Sequence, residues 1–310
     1  MSIVRRIRRA VTRRIPRQYA IRYRLLRERL SRDSRRADRE AECFLVSYPK
    51  CGRTWLRVLL SRALEIHYGA PEVDYLGGAF LGGNVPGAPR VRVTHDEDPH
   101  WKTARGLDRR KRRYRGKRVV LLVRDPRDVV VSMYFERSRR ERAYSGTLSE
   151  FLHERRGSLD TILAYYNVWA RSRGIPSELL VVRYEDLRRD TERELGRLLA
   201  FLGVGDASEA TVREAVRFAS FESMREMEST GSLESGRLRP RDPKDPESFK
   251  TRRGKVGGFV DYLTPDEIAE VERRICSGLD PSFGYGDLRG SSAPPPPESL
   301  RSQVETPGLA

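Results

Sequence analysis

The sequence has little cysteine, histidine or tryptophan: three, four and three residues, respectively, among 310. The cysteines, Cys43, Cys51 and Cys276, are odd in number, widely separated and without the paired spacing of metal-binding motifs. This pattern argues against both a disulfide framework and a zinc site, and it favours a reducing compartment. No stretch approaches the ~18 to 20 apolar residues of a membrane-spanning helix, and the N-terminus lacks the apolar core of a signal peptide. We therefore expect a cytoplasmic protein.

Positive charge is abundant but unevenly distributed. The net charge is +17, and residues 1–40 contain 15 arginines and 4 acidic residues, so they carry +11 of it. Apolar residues alternate with these arginines, as in segments that lie on anionic membranes, although a solvated or disordered arm, or a helix packed on the domain, is favoured over lipid binding. No recognition fold for a specific nucleic acid accompanies the arm. We divide the chain into a basic arm (1–40), one α/β domain (41–288) and a disordered, proline-rich tail (289–310).

The central motif is an apolar run, Phe44 to Ser47, followed by Tyr48-Pro-Lys-Cys-Gly-Arg-Thr-Trp55 and by apolar residues at helical spacing. The pattern predicts a buried parallel strand, a tight turn and a helix. Such a helix start binds anions through its unpaired amides, with Gly52 permitting close approach, Lys50 adding charge and Thr54 a hydroxyl. The loop is not a Walker A motif, because its lysine precedes its glycine.

Two further predicted strands end in candidate functional residues. Residues 90–95 alternate like a short strand and end at His95, which can accept a proton near neutral pH. Residues 118–124 form a buried apolar run, after which Asp125 and Pro126 start a helix. Arg124 and Ser132 together offer a forked cation and a hydroxyl to a phosphate. We also expect helices over 151–173, 185–201 and 211–227, and one that starts at 263–267 and runs to residue 276.

The motif at Tyr48 to Trp55 resembles the 5′-phosphosulfate loop of the cytosolic-type sulfotransferases, Tyr-Pro-Lys-Ser-Gly-Thr-Thr-Trp, with Cys51 and Arg53 at the two differing positions. Further segments resemble that family in the same order over about residues 42–286. They are Arg124 to Tyr134, similar to its 3′-phosphate segment, Ser220 to Arg225, and the loop that begins Arg252-Arg253-Gly254.

The resemblance implies an α/β fold, a three-layer P-loop-like sandwich with a central, mostly parallel sheet flanked by helices. It also implies the cofactor 3′-phosphoadenosine 5′-phosphosulfate (PAPS) and in-line sulfuryl transfer to a hydroxyl or amine, without a metal. His95 would be the general base and Lys50 would stabilise the leaving phosphate. The family pattern assigns cofactor binding to Lys50, Cys51, Gly52, Arg53, Thr54, Trp55, Arg124, Ser132, Tyr184, Phe221, Met224, Arg252, Arg253 and Gly254.

Departures from the family pattern and other functions stay open. Val93 replaces a family lysine, whose role is lost or passes to Arg92, and Gly258 and Phe259 replace an Asp-Trp pair. Alternative functions are a P-loop nucleotide kinase, or a basic protein that binds membrane or nucleic-acid surfaces through residues 1–40. The acceptor is a small alcohol or phenol, a sugar or a lipid headgroup. Homodimerisation and peripheral association with the inner membrane surface are not decided.

Overall fold

Four parallel strands form the centre of the described part of the chain, which the computed structural model gives for residues 32–70, 73–83, 85–233 and 238–286. They are β1 (Cys43–Ser47), β2 (Val91–Thr94), β3 (Arg118–Val123) and β4 (Glu178–Arg183), in the order β2-β1-β3-β4. Every residue of β1 is buried, as expected for a central strand covered on both faces. Since all four strands run in one direction, their carboxyl ends share one edge of the sheet.

Ten helices surround this sheet within the described ranges, together with short 3₁₀ turns and one π-helical turn over Glu136–Arg140. They are α1 (Arg32–Glu40), α2 (Arg53–Tyr68), α3 (Pro126–Phe135), α4 (Leu148–Leu152), α5 (Leu159–Arg171), α6 (Tyr184–Arg189), α7 (Thr191–Phe201), α8 (Glu209–Phe218), α9 (Phe221–Thr230) and α10 (Pro265–Gly278). Helices α2, α7 and α8 pack together, and α3, α5 and α10 form a second group. This arrangement confirms the predicted α/β sandwich.

Helix starts were predicted better than helix lengths. Asp125 accepts from the Arg127 amide at the start of α3, and Thr264 forms a capping box with Glu267 at the start of α10. The continuous helices expected over 151–173, 185–201 and 211–227 are wrong, because each is divided in two. At two of the breaks Asp190 and Ser220 act as N-caps, accepting hydrogen bonds from the backbone three residues later. Such side chains compete with helix continuation and start a new helix instead.

Helix α1 packs onto the domain through a few specific contacts. Ala37 is buried, and the Asp38 carboxylate accepts from Arg92 at 3.3 Å and from Arg113 at 2.6 Å. Residues 32–40 therefore match the alternative of a helix packed on the domain. The rest of the expected arm, residues 1–31, and the expected tail, 289–310, lie outside the described residues. None of the helices in the described ranges has the length and apolar content needed to cross a bilayer.

Candidate active site

A cavity of about 480 Å³ lies where the carboxyl ends of β1, β2 and β3 meet the loops that follow them. It brings together nearly all of the residues that the sequence singled out. The predicted site residues that line it are Lys50, Gly52, Arg53, Thr54, Trp55, His95, Arg124, Ser132, Tyr184, Phe221, Met224, Arg252, Arg253 and Gly254.

The loop between β1 and α2 has the backbone conformation of a tight anion-binding turn. Lys50 has φ 72° and Gly52, the N-cap of α2, has φ 91°, both in the left-handed region. A Cβ at Gly52 would lie 2.6 Å from the Tyr184 ring, so only glycine fits here. No side chain caps the start of α2, which leaves its first amide groups for an anion.

Cys51 is the predicted site residue whose side chain does not reach the cavity lining. It is buried, its Sγ lies 3.3 Å from the Tyr166 hydroxyl, and burial raises the pKa of its thiol to about 12. The Tyr166 hydroxyl also donates to the Arg124 carbonyl at 2.8 Å. The side chain of Cys51 thus joins the turn to the end of β3, and any contact with an anion is left to the backbone at this position.

His95 lies in the cavity with its two ring nitrogens in different roles. Its Nδ1 is 3.0 Å from the carbonyl oxygen of Ser47 and 3.5 Å from the Ser47 hydroxyl, and since the nearer oxygen can only accept, we place the proton on Nδ1. The basic nitrogen is therefore Nε2. Burial, followed by the charge of Arg53, lowers the pKa of His95 well below its ordinary value, so the ring is neutral at pH 7.

The loop after His95 is strained and anchored in the interior. Asp96, Glu97 and Asp98 have φ of 56°, 71° and 52°, three successive left-handed residues without glycine. The Asp96 carboxylate is buried, forms an ion pair with the buried Lys111 and accepts from the Tyr114 hydroxyl at 2.8 Å. These contacts hold the backbone immediately next to the histidine.

Lys50 forms an ion pair with Glu136, a residue that the sequence analysis did not single out. The distance from Nζ to Oε2 is 2.6 Å, and Arg140 Nε lies 3.3 Å from the same oxygen. Burial alone would raise the pKa of Glu136, but Lys50 and Arg140 lower it to about 2. The sequence contains an indication that Glu136 belongs to the site. Glu136 follows Ser132 by four residues, so it lies on the same face of the helix, at the start of the π-helical turn.

Arg124 joins the ends of β1 and β3 to the loop after residue 250. Its guanidinium donates to the Lys50 carbonyl at 3.3 Å, to Asp128 at 3.1 Å and to the Lys255 carbonyl at 3.0 Å. It also lies 4.5 Å from the centre of the Tyr184 ring. Its Nε is buried and makes no hydrogen bond within the described residues, so an unused donor remains in the cavity wall. This donor fits an added anion.

The loop over residues 252–259, the clamp loop, departs from the family pattern at Gly258 and Phe259, and the Asp128 carboxylate binds its backbone. The Asp128 carboxylate accepts from the amides of Gly257 and Phe259, both at 3.0 Å. Arg127 lies 4.4 Å from the centre of the Phe259 ring. Within this loop, Arg252 pairs with Glu247 at 2.9 Å and Arg253 with Asp261 at 3.0 Å.

Aromatic side chains form the remaining wall. The Trp55 ring lies 5.9 Å from that of Tyr184 and donates from Nε1 to the Ala219 carbonyl at 2.8 Å. A Cβ added at Gly254 would lie 2.6 Å from the Phe221 ring, so the clamp loop passes directly over this ring. Flat apolar groups beside separated cations fit a purine nucleotide with phosphates at two positions.

Of the two alternatives for the missing lysine at Val93, transfer of its role to Arg92 does not fit the structure. The Arg92 side chain donates to Asp38, to the Ala79 carbonyl at 2.9 Å and to Ser34, and it does not line the cavity. Neighbouring residues of a strand point to opposite faces, which explains why Arg92 cannot replace a side chain at position 93. Lys250, which the sequence analysis did not assign to the site, does line the cavity.

The comparisons with known proteins agree with this geometry. The family described as Sulfotransferase domain matches residues 110–280. Cytosolic sulfotransferase 17 of Arabidopsis thaliana is 27% identical over 267 residues, covering 76% of this chain and 73% of the relative. The amine sulfotransferase of Oryctolagus cuniculus is 23% identical over 252 residues, covering 76% and 79%.

Solved structures of similar fold carry related ligands. The mouse sulfotransferase SULT7A1 complexed with PAP has a TM-score of 0.56 and 21% identity, covering 81% of this chain and 87% of that one. Retinol dehydratase in complex with androsterone and the inactive cofactor PAP has a TM-score of 0.55 and 19% identity, covering 77% and 80%. At these identities the likeness establishes the fold.

Proposed function

The chain belongs to the sulfotransferase domain family, and we propose that it is a PAPS-dependent enzyme that sulfates a hydroxyl or amine with His95 as general base. The observation that carries the proposal is the presence in one cavity of a neutral, half-buried histidine, the lysine of a helix-start anion site and an arginine with an unused donor. These are the groups that sulfuryl transfer between a nucleotide and an acceptor requires.

The residues of the cavity fit the two charged ends of PAPS. Lys50, Thr54 and the first amides of α2 would hold the 5′-phosphosulfate, and Arg124, Ser132 and the loop at Arg252 would hold the 3′-phosphate. The purine would lie among the aromatic rings of Trp55, Tyr184 and Phe221 and the side chain of Met224. When bound, PAPS supplies a sulfuryl group on a phosphate leaving group.

His95 would take the proton of the acceptor. Because Ser47 fixes the proton on Nδ1, Nε2 is free to accept from a hydroxyl or amine as its oxygen or nitrogen attacks sulfur. The lowered pKa of His95 keeps this nitrogen unprotonated at pH 7. Lys50 and the helix-start amides would then stabilise the negative charge left on the 5′-phosphate.

We propose a small acceptor, which can be an alcohol, phenol, sugar or lipid headgroup, and a cytoplasmic enzyme like the relatives named cytosolic. Contact of residues 1–40 with an anionic membrane surface and formation of a homodimer stay predictions.

Thermal unfolding with nucleotides tests the proposal. Adenosine 3′,5′-bisphosphate (PAP) at about 100 times its dissociation constant should add ~2.7 kcal/mol to the stability of the native protein. AMP and ATP should add less, and Arg124→Ala should lose the PAP effect. Arg213→Ala, at an exposed ion pair with Glu209, is the matched arginine control and should keep it.

A larger shift with ATP than with PAP would overturn the proposal and favour a nucleotide kinase. The base is tested by turnover: with PAPS and a panel of acceptors, His95→Gln should bind PAP normally and lose sulfate transfer. Full transfer by this variant would exclude His95 as the base.

A further inference from the structure

Lys250 differs from the other lysines of the cavity because its ammonium has no ion-pair partner among the described residues. Three lysines line the cavity within the described residues: Lys50, Lys250 and Lys255. Lys50 pairs with Glu136 at 2.6 Å and Lys255 pairs with Asp261 at 3.0 Å. The ammonium of Lys250 makes no hydrogen bond or ion pair with the described residues. A half-buried ammonium without a carboxylate is a site for an anion.

The surroundings of Lys250 place it on the side of the cavity where transfer would occur. After burial and Arg53, its charge is among the causes that lower the pKa of His95. Besides Lys50 and Arg140, it also lowers the pKa of Glu136, the partner of Lys50. Lys250 therefore lines the same cavity as His95 and Lys50, and its charge acts on the base.

The backbone of Lys250 is fixed by a buried carboxylate. Glu228 on α9 is fully buried, and its two oxygens accept from the amides of Lys250 at 2.6 Å and Thr251 at 2.7 Å. Arg140 lies 3.5 Å from the same carboxylate. Lys250 is consequently anchored at its backbone and directed into the cavity lining, unlike a lysine on a surface loop.

We propose that Lys250 is a catalytic residue that binds the oxygens of the transferring sulfuryl group. The inference rests on the proposed function. In the step, the bond from the acceptor to sulfur forms while the bond from sulfur to the 5′-phosphate oxygen breaks. The acceptor proton moves to His95 Nε2, and the electron pair of the broken bond stays on the phosphate. The ammonium of Lys250 keeps its proton and balances the charge on the sulfuryl oxygens.

The titration of Lys250 gives this role a recognisable pH dependence. Burial lowers the pKa of Lys250, and the neighbouring cations lower it further, whereas the carboxylate of Glu136 raises it. The net result is a pKa of about 7. In the free enzyme the ammonium is therefore lost as the pH rises through 7, and kcat/KM should fall on that side. An arginine at this position stays charged and should move the fall to higher pH. The charged groups that act on the pKa of Lys250 are Glu136, Lys50, Arg140 and Arg53, and the charge of Lys250 in turn lowers the pKa of His95.

The test compares Lys250→Met and Lys250→Arg with the wild-type enzyme. PAP lacks the sulfuryl group, so Lys250→Met should bind PAP within about twofold of wild type while kcat falls about 10²- to 10³-fold. Lys250→Arg should recover part of kcat and shift the alkaline fall of kcat/KM upward. Lys244→Met, an exposed lysine six residues earlier, is the matched control and should leave all three quantities unchanged.

Each contrary result has a distinct meaning. An equal loss of PAP affinity and kcat would make Lys250 a ligand of the nucleotide phosphates and overturn the proposal. A rise in the acceptor KM with unchanged kcat would make it an acceptor contact, which also overturns it. Normal kinetics of Lys250→Met in an active enzyme would refute this inference alone, whereas absence of sulfate transfer by the wild type would refute the proposed function and the inference with it.

Discussion

The buried ion pair between Lys111 and Asp96 should be necessary for both stability and the position of His95. Lys111 and Asp96 each have 2% side-chain exposure, and the Lys111 ammonium lies 5.2 Å from the centre of the Trp169 ring. Replacing Lys111 by methionine keeps the length of the side chain but leaves the Asp96 carboxylate buried with the Tyr114 hydroxyl as its side-chain partner. An uncompensated buried charge of this kind is strongly destabilising.

The expected loss can be estimated from the burial of the pair. Breaking a buried ion pair by removing one member typically costs about 3 to 5 kcal/mol. At about 2 to 4 °C per kcal/mol for a domain of this size, Lys111→Met should lower the melting temperature by roughly 6 to 20 °C. The double variant with Asp96→Asn removes the charge that is left and should recover most of this loss.

Urea unfolding and steady-state kinetics together test the reasoning. Lys102→Met is the matched control, because Lys102 pairs with Glu97 of the same loop at 24% exposure and should cost no more than ~1 kcal/mol. Since Asp96 follows His95 directly in a left-handed backbone, Lys111→Met should also lower kcat while PAP affinity changes little. If Lys111→Met and Lys102→Met are equally stable, the buried pair does not hold this loop.

Three shorter predictions follow from the same site. Gly52→Ala should lower the free energy of unfolding by at least ~1 to 3 kcal/mol and weaken PAP binding about tenfold or more, because the added Cβ meets the Tyr184 ring. The control Gly196→Ala, which has open space around it in α7, should leave stability unchanged or raise it. Calorimetry measures the stability of each variant, and titration with PAP measures its binding. The lowered pKa of His95 predicts that kcat/KM is not lost as the pH falls to 6.5 and declines only below it, and an acid-side decline centred at or above pH 6.5 would contradict its neutral state. Iodoacetamide at pH 8 should label the exposed Cys276 and not Cys51, because burial raises the pKa of the Cys51 thiol to about 12. Mass spectrometry of the labelled native protein measures this, and labelling of Cys51 would show that the turn around it opens.

Features that depend on neighbouring residues in the chain were predictable from the sequence. The strands β1 and β3 are continuous apolar runs, and the starts of α3 and α10 carry a capping residue followed by proline. The turn from Lys50 to Trp55 was recognisable for the same reason. The divided helices were missed because Asp190 and Ser220 are also compatible with an exposed helix position, and only packing decides between the two.

Features that depend on contacts between distant segments were not predictable. Glu136 is 86 residues from Lys50, and nothing local shows that they form an ion pair. The anchoring of Lys250 by Glu228 spans 22 residues and requires the turn between them. Cys51 lies inside the motif, yet its side chain contacts Tyr166, which is 115 residues away in the sequence. The conformation of the turn in the folded protein decides which of its side chains point inward, and the sequence of the motif does not show this.

The paired cations of the cavity affect which anions of the cell can bind to the enzyme. Five of them already contact carboxylates of the protein itself: Lys50 with Glu136, Arg124 with Asp128, Arg252 with Glu247, and both Arg253 and Lys255 with Asp261. A single free phosphate or sulfate ion gains little by competing with one such carboxylate. A nucleotide with phosphates at both ends reaches several cations at once and gains from the linkage between its two ends. Abundant inorganic anions should therefore inhibit the enzyme weakly. The carboxylates of the protein compete with any incoming anion for these cations, and only a ligand with several negative charges displaces enough of these contacts to bind tightly.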